Sequence, residues 1–237
     1  MAPTIPGGFR AAAVLVKPLL LATTKRVWSG GENLPTDQGF IAVSNHATYA
    51  DPLTLAHFLY DHGYAPHFLA KASLFDIPVA GRALKGLDQV PVHRGSAQAR
   101  DAVDAAVKLL QRGDSIAVFP EGTLTRDPDL WPMLARTGAA RMALEHDVPV
   151  IPIAQWGAQQ LLPPYSKRPD LFPRKTVTMV AGPAVDLEEF RGRALDIGVL
   201  RTATDRIMAT LTSMLEDIRG EKAPAKPWDM RREGGGR

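Results

Sequence analysis

Residues 40–59 read FIAVSNHATYADPLTLAHFL. The apolar run Phe40–Val43 predicts a buried strand, and the residues that follow Pro52 predict a helix. Asp51 suits the N-cap of that helix, and Pro52 suits its first position, where no backbone N–H is needed. His46 therefore lies on a loop between a strand end and a helix N-terminus, which is where open α/β sheets tend to place ligand sites.

This loop carries a candidate base and a candidate partner for it. A histidine can be neutral near pH 7, and a carboxylate on one ring nitrogen fixes its tautomer and stabilises the imidazolium. Asp51 follows His46 closely enough to provide that carboxylate. The spacing alone leaves a second interpretation open, in which Asp51 only caps the helix and His46 only occupies the loop.

A second loop has a similar setting. Residues 119–127 read FPEGTLTRD and follow the apolar, strand-like residues 115–119. The loop combines a carboxylate, a glycine, two hydroxyls and an arginine. Such a loop is suited to binding an anionic ligand that is rich in oxygen atoms.

The two loops together resemble the glycerolipid acyltransferases, typified by the 1-acylglycerol-3-phosphate acyltransferases. The resemblance rests on Asn45-His46 followed by Asp51-Pro52, and then on residues 119–123, Phe-Pro-Glu-Gly-Thr. Two further blocks stand in the family's order: residues 90–94, VPVHR, between the first two, and residues 148–153, VPVIPI, after them. The resemblance covers roughly residues 40 to 155.

The resemblance implies roles for individual residues. His46 is the catalytic base and Asp51 orients it, whereas the phosphate of the acceptor is bound by Arg94 with help from Lys71 or Arg126, and the acceptor-binding loop is formed by Glu121, Gly122 and Thr123. Glu121 is expected to position loop amides or accept a hydrogen bond from a substrate hydroxyl. Surface exposure without a role is the alternative for Lys71 and Arg94.

This chain departs from the family pattern at two positions. His93 stands where the family usually has Asp or Asn, which puts the hydrogen bonding beside Arg94 in doubt. Leu124 stands where the family usually has Arg, and Arg126 follows two places later. We therefore expect Arg126 to take over the phosphate contact.

Composition narrows the possible chemistry. The 237 residues contain no cysteine, which removes disulfides, thiolate metal sites and a cysteine nucleophile. A hydrophobic content of 45% with 22% charged residues is typical of a globular protein. The formal net charge is only +3, and no nucleic-acid-binding motif accompanies it, so we expect no nucleic-acid partner.

The N-terminal residues 9–28 are apolar with basic interruptions. Their apolar runs fall short of the roughly 20 residues that span a bilayer, and Pro18 is expected to divide the segment into two short helices. Four basic residues precede the first acidic residue: Arg10, Lys17, Lys25 and Arg26. Together with Trp28 they favour a segment that lies in the membrane interface. A signal peptide and a helix packed on the domain are the alternatives.

The remainder alternates strands with helices, which predicts an α/β fold with a largely parallel central sheet flanked by helices. The predicted strands are residues 40–45, 65–70, 87–92, 115–119, 148–154 and 176–181, and the predicted helices are 52–61, 79–84, 96–112 and 138–146, with a last helix that includes 200–218. Residues 157–175 are expected to form a surface excursion. The predicted organisation is a membrane-interface segment at 1–30, an acyltransferase domain at 31–219 and a basic flexible tail at 220–237.

The resemblance implies that a fatty acyl chain moves from a thioester, acyl-CoA or acyl-carrier protein, to the sn-2 hydroxyl of 1-acylglycerol-3-phosphate. The thioester is a co-substrate, and no cofactor or metal is expected. The implied location is the cytoplasmic face of the cell membrane, with the phospholipid surface as a partner. The alternatives are another lysophospholipid or glycolipid acceptor, a non-catalytic phospholipid-binding module, and a serine hydrolase using Ser44, which lacks the usual Gly-x-Ser-x-Gly elbow.

Overall fold

A computed structural model describes residues 5–93 and 99–230, and a seven-stranded sheet forms its centre. The strands are β1 (Thr24–Ser29), β2 (Phe40–Ser44), β3 (Pro66–Lys71), β4 (Val90–Val92), β5 (Ser115–Val118), β6 (Val150–Trp156) and β7 (Lys175–Ala181). Their order across the sheet is β1-β7-β6-β2-β5-β3-β4. Only the β6–β7 pair is antiparallel within the described sheet, so the predicted α/β class with a largely parallel sheet is confirmed.

Strand β2 lies in the middle of the sheet and is buried along its whole length. Ile41 pairs with Ile116 of β5 on one side and with Val150 of β6 on the other. A strand that is covered on both faces needs apolar residues at successive positions, as in Phe40–Val43. The carboxyl ends of β2, β5, β3, β4 and β6 lie at one edge of the sheet because these strands are parallel.

Helices cover both faces of the sheet. They are α1 (Gly7–Thr23), α2 (Asp51–Asp61), α3 (Pro78–Gly86), α4 (Ala99–Gln111), α5 (Gly138–His146), α6 (Ala158–Leu161) and α7 (Ile197–Arg219). One buried cluster joins α4, α5 and α7 to the sheet through residues such as Ala106, Ala140 and Leu211. A second cluster joins α2 to the opposite face through Leu55 and Phe58.

The N-terminal segment differs from the prediction. A single helix runs from Gly7 to Thr23 through Pro18, and residues 24–29 form an edge strand instead of a second helical piece. The hydrogen bond lost at Pro18 falls on the outer side of the helix, where Val14 is 72% exposed. No helix within residues 5–93 and 99–230 is long and apolar enough to cross a membrane.

Strand β4 is shorter than the predicted strand 87–92. Helix α3 continues to Gly86, and the amides of Leu87 and Gln89 donate to carbonyls of that helix at 3.0 Å each. Asp88 adopts a positive φ of 46°, which turns the chain before Val90. Residues 87–89 therefore complete the helix end before the strand begins.

The C-terminal stretch 220–230 packs on the domain, although a flexible tail was predicted there. The amide of Leu134 donates to the carbonyl of Trp228 at 3.0 Å, and the amide of Ala223 donates to Glu216 at 2.9 Å. Residues 231–237 lie outside the described part of the chain.

Candidate active site

His46 lies just beyond the carboxyl end of β2, with its ring held on two sides. Its Nδ1 is 3.1 Å from Oδ2 of Asp51, and its ring stacks on Phe119 with centroids 4.1 Å apart. The side chain is 14% exposed. Its Nε2 atom has no hydrogen-bond partner among the described residues. This arrangement leaves one ring nitrogen available to a ligand.

Asp51 is buried, and its carboxylate turns back onto the His46 loop. Oδ2 accepts hydrogen bonds from the amides of Ala47 at 2.6 Å and Thr48 at 2.7 Å in addition to its contact with His46. The N-cap of α2 is Ala50, and it makes no side-chain capping bond, so the predicted capping role of Asp51 is wrong. Burial raises the pKa of Asp51, and the hydrogen bonds from His46 and the two amides oppose this rise.

Glu121 joins the two loops from a buried position. Oε1 accepts from the amide of His46 at 3.1 Å, and Oε2 accepts from the amide of Met133 at 2.9 Å. Burial raises the pKa of Glu121 to about 8, while those two amides lower it. The predicted contact of Glu121 with loop amides is therefore present.

The loop that carries Glu121 also holds the other side of His46. The amide of Thr125 donates to the carbonyl of His46 at 2.7 Å, and the Thr125 hydroxyl donates to the carbonyl of Trp131 at 2.6 Å. Oδ1 of Asp127 accepts from the amides of Asp129 at 2.9 Å and Trp131 at 3.2 Å. The backbone of His46 is thus fixed at both its N–H and its C=O.

Gln155 supports the start of the His46 loop, although the sequence did not single it out. Its backbone amide donates to Oδ1 of Asn45 at 2.9 Å, and its carbonyl accepts from Nδ2 of Asn45 at 2.9 Å. Its side chain also bonds Ser44 at 3.1 Å and Thr54 at 2.8 Å. Ser44 is fully buried, so it is not exposed as the nucleophile of a serine hydrolase would be.

The basic candidates are not all brought together. Arg94 lies outside the described residues. Lys71 is exposed at the end of β3, two strands away from β2. Arg126 is exposed and hydrogen-bonds the side chain of Tyr165, whose hydroxyl also donates to the carbonyl of Thr125 at 3.0 Å. Tyr165 belongs to the predicted surface excursion, which therefore reaches the site.

Arg136 is a second arginine beside the Glu121 loop. Gly122 has a φ of 74°, and a Cβ atom added to it would lie 2.9 Å from Nε of Arg136. A side chain at position 122 would therefore be strained and would displace this arginine. Gly122 and Thr123 are both half-buried, whereas Leu124, which replaces the family's arginine, is buried.

A mostly apolar groove, here called the α1 groove, lies between α1, α2 and β3. Its walls include Ala12, Ala13 and Val16 of α1, Leu53 and Ala56 of α2, and Phe68 of β3. Leu53 follows Asp51 closely in α2. The ring of Phe68 lies 6.1 Å from that of Phe119, which stacks on His46. Two successive ring contacts, Phe68 with Phe119 and Phe119 with His46, therefore link the groove wall to the candidate base.

Metal-ligating side chains do not cluster in the part of the chain that the structure describes. No group of three or more His, Cys, Asp or Glu side chains there has a geometry that could hold a metal ion. The polar groups of the site are instead engaged with one another and with backbone amides.

Sequence comparisons identify relatives of this chain. It is 35% identical over 136 residues to the chloroplastic 1-acyl-sn-glycerol-3-phosphate acyltransferase BAT2 of Brassica napus, covering 56% of this chain and 38% of the relative. It is 28% identical over 159 residues to the 1-acyl-sn-glycerol-3-phosphate acyltransferase of Bacillus subtilis, covering 67% of this chain and 73% of that protein. The chain thus spans well under half the length of the plant relative.

A solved structure has the same fold. The 1-acyl-sn-glycerophosphate acyltransferase PlsC of Thermotoga maritima superposes with a TM-score of 0.63 at 22% identity, covering 91% of this chain and 84% of that one. The sequence model of the family described as Acyltransferase matches residues 25–156, which include both loops of the site. The chain therefore belongs to the acyltransferase family.

Proposed function

We propose that this protein transfers a fatty acyl chain from a thioester to the sn-2 hydroxyl of 1-acylglycerol-3-phosphate, which yields phosphatidic acid for phospholipid synthesis. The observation that carries the proposal is His46, which is paired with Asp51 through Nδ1 and whose Nε2 has no hydrogen-bond partner among the described residues. The printed names of the plant and Bacillus relatives support the acceptor.

In the proposed reaction, Nε2 of His46 takes the proton of the acceptor hydroxyl as the hydroxyl oxygen attacks the thioester carbonyl. The C–S bond breaks when the tetrahedral intermediate collapses, and the imidazolium returns the proton to the leaving thiolate. An ester and a free thiol result, with no acyl-enzyme. Asp51 keeps the tautomer in which Nε2 is the base and stabilises the imidazolium.

Glu121 acts as a positioning residue in this scheme because it binds the amide of His46 and does not reach the ring. The amides of His46, Ala47 and Thr48 already donate to Glu121 and Asp51. These three amides are therefore unavailable to stabilise the oxyanion. The stabilising donors must come from elsewhere in the site.

The acceptor phosphate is assigned to the arginines beside the Glu121 loop. Arg126 is exposed, and Arg136 has no ion-pair partner within the described ranges. A guanidinium can bind phosphate through two parallel hydrogen bonds, which would hold the hydroxyl near Nε2. Arg94 and Lys71 are further proposed contacts, and Gly122 and Thr123 complete the acceptor-binding loop.

The α1 groove is assigned to the acyl chain. Apolar walls favour a hydrocarbon chain over water, and Phe68 of the groove wall lies 6.1 Å from Phe119, the ring that stacks on His46. The donor is acyl-CoA or acyl-carrier protein, which acts as a co-substrate and not as a bound cofactor.

Membrane docking is assigned to α1. Val14, Leu15 and Leu19 are exposed on this helix, at 72%, 79% and 55%. An apolar helix face of this kind can lie in the interface of a bilayer. We place the protein peripherally on the cytoplasmic face of the cell membrane, where α1 within residues 1–30 docks and the domain of residues 31–219 catalyses.

The acceptor assignment is tested with an acceptor that lacks the phosphate. We expect Arg126→Gln to raise the KM for 1-acylglycerol-3-phosphate by about tenfold or more, because a charge-assisted hydrogen bond is lost. The KM for monoacylglycerol should not change. Arg141→Gln is the matched control, since Arg141 is an exposed arginine paired with Glu145 on α5.

Two results would change this assignment. Equal effects of Arg126→Gln on both acceptors would remove Arg126 from the phosphate site. Turnover with another lysophospholipid or a glycolipid, and none with 1-acylglycerol-3-phosphate, would keep the chemistry and replace the acceptor.

A further inference from the structure

Arg219, the last residue of α7, lies between two tryptophan rings. Its Cζ atom is 3.7 Å from the ring centroid of Trp131 and 4.2 Å from that of Trp156. The side chain is only 7% exposed. A guanidinium is the cation best suited to this position, because its plane can stack on aromatic faces.

The polar atoms of Arg219 fix it in this position. Nη1 donates to the carbonyl of Asp129 at 2.8 Å, and Nη2 donates to Oε2 of Glu221 at 2.6 Å. Its place at the C-terminus of α7 also favours a positive charge. The same loop that contains Asp129 receives the C-terminal stretch, since Leu134 donates to the carbonyl of Trp228.

The Trp131 side of this contact leads to the backbone of His46. The carbonyl of Trp131 accepts from the hydroxyl of Thr125, and the amide of Thr125 donates to the carbonyl of His46. Two residues after Trp131, the amide of Met133 donates to Glu121, which accepts from the amide of His46. The loop fixed by Arg219 is therefore the loop that holds His46 from both sides.

The Trp156 side leads to the same loop by a second route. Trp156 directly follows Gln155, which exchanges two backbone-to-side-chain hydrogen bonds with Asn45. Asn45 directly precedes His46. The two tryptophans that Arg219 separates therefore belong to two independent supports of one short loop.

We propose that Arg219 is a positioning residue for acyl transfer: by clamping Trp131 to Trp156, it holds together the two supports of the His46 loop. This inference rests on the proposed function for its kinetic consequence. Arg219 does not touch the reacting atoms. Its loss loosens the position of His46 but removes no side chain of the acceptor site or of the α1 groove.

The test compares Arg219→Ala with Arg219→Lys and with Arg206→Ala. Arg206 is the matched control because it also lies on α7 and stacks on an aromatic ring, with its Cζ 4.8 Å from the Phe190 centroid, but that contact leads to no residue of the site. Acyl transfer is measured below the unfolding temperature of every variant, and hydrogen exchange is measured for peptides that cover residues 44–51 and 121–134.

We expect Arg219→Ala to lower kcat by about ten- to hundredfold, because small misplacements of a catalytic group are costly. The KM of the acceptor should rise by a smaller factor, since Arg126 lies on the same loosened loop. Arg219→Lys should recover part of this loss, since it keeps the cation. Exchange in both peptides should be faster by about tenfold in Arg219→Ala, as expected for a locally loosened segment. Arg206→Ala should change neither readout.

Unchanged exchange at residues 44–51 in Arg219→Ala would overturn the inference whatever the activity. A loss of activity that Arg206→Ala reproduces at equal stability would also overturn it. If the wild type transfers no acyl group but Arg219→Ala still exchanges faster in both peptides, the proposed function is rejected. The coupling of Arg219 to the His46 loop then stands by itself.

Discussion

His46 and Asp51 form a pair because a tight loop brings them together at the end of a buried strand. A buried carboxylate is costly unless donors surround it, and here His46 and the amides of Ala47 and Thr48 serve that purpose. The five-residue spacing between His46 and Asp51 therefore follows from the tight loop that connects β2 to α2. One carboxylate closes the loop and orients the ring at the same time.

Glu121 makes the stability of the fold depend on pH. The pKa of Glu121 in the folded state, about 8, lies well above the ordinary value of 4.5. Between these two pH values Glu121 is therefore protonated in the folded state and ionised in the unfolded state. The stability that this proton provides is present at low pH and is lost as pH rises towards 8. We expect the free energy of unfolding of the wild type, relative to Glu121→Gln, to fall between pH 5 and 8, by at most about 1.4 kcal/mol per pH unit.

Urea unfolding of both proteins across this range measures the difference. Glu145→Gln is the control, since it removes an exposed carboxylate that pairs with Arg141 on α5 and does not contact the site. A constant difference between the wild type and Glu121→Gln would mean that Glu121 titrates normally in the folded state.

The sequence predicted part of this site and could not predict the rest. The sequence predicted that His46 and Asp51 lie close together because both belong to one loop. It also predicted a contact of Glu121 with loop amides, because the Glu121 loop follows a neighbouring strand. Gln155 and Tyr165 were missed because their contacts join segments that are far apart in the chain. Only the position of Gln155 within β6, shortly after the apolar block 148–153, could have indicated that residue.

At the scale of elements, α1 has two faces with different surroundings. One face lines the α1 groove, and the other exposes Val14, Leu15 and Leu19. Two of the basic residues expected to attract anionic lipid, Lys17 and Arg26, instead pair with Asp61 at 2.6 and 2.8 Å. We therefore expect apolar insertion to contribute more to membrane binding than charge does.

Leu15→Glu tests this expectation. Burying one leucine side chain contributes about 1.5–3 kcal/mol, so the variant should bind phospholipid vesicles at least about tenfold more weakly. Co-sedimentation with vesicles of mixed zwitterionic and anionic phospholipid measures the change. Ile197→Glu is the control because Ile197, at 74% exposure, is a similarly exposed apolar residue on α7. Equal losses in both variants, or none in Leu15→Glu, would rule out α1 as the docking surface.

Ala56→Phe tests the α1 groove. Ala56 is half-buried in the groove wall, and a phenyl ring there would occupy space assigned to the acyl chain. We expect the ratio of kcat/KM for palmitoyl-CoA to that for octanoyl-CoA to fall by about tenfold, because overpacking an apolar site costs 1–3 kcal/mol. Ala209→Phe, at an exposed position of α7, should leave the ratio unchanged. An equal loss for both donors would show that the chain does not reach Ala56.

Strand β1 shows why the N-terminal elements were predicted less well than the central ones. Only its first residue is buried, and Lys25 and Arg26 face solvent. An edge strand with one covered side lacks the apolar run that identifies β2. It pairs with β7, whose residues 175–180 lie far along the chain from residues 24–29. Such a long-range pairing leaves no pattern in the local sequence.

In the molecule as a whole, the candidate site and the end of α1 lie towards the same edge of the sheet. The site lies at the carboxyl ends of β2 and β5. Strand β1 runs opposite to β6, as the shared pairing of Val27 and Trp156 with Thr178 indicates. Thr24 and the end of α1 therefore lie towards the same edge as His46. If α1 docks on a bilayer as proposed, a lipid acceptor reaches the base from that side of the molecule.

Thiol release from palmitoyl-CoA, measured with and without 1-acylglycerol-3-phosphate, tests the proposed acyl transfer. The wild type should release thiol only with the acceptor and form phosphatidic acid. His46→Ala should lose about a hundredfold or more of this rate, because it lacks the general base, whereas His146→Ala, at an exposed position of α5, should keep it. Equal release by His46→Ala, or no release with any acceptor from a protein that binds vesicles tightly, would contradict the account.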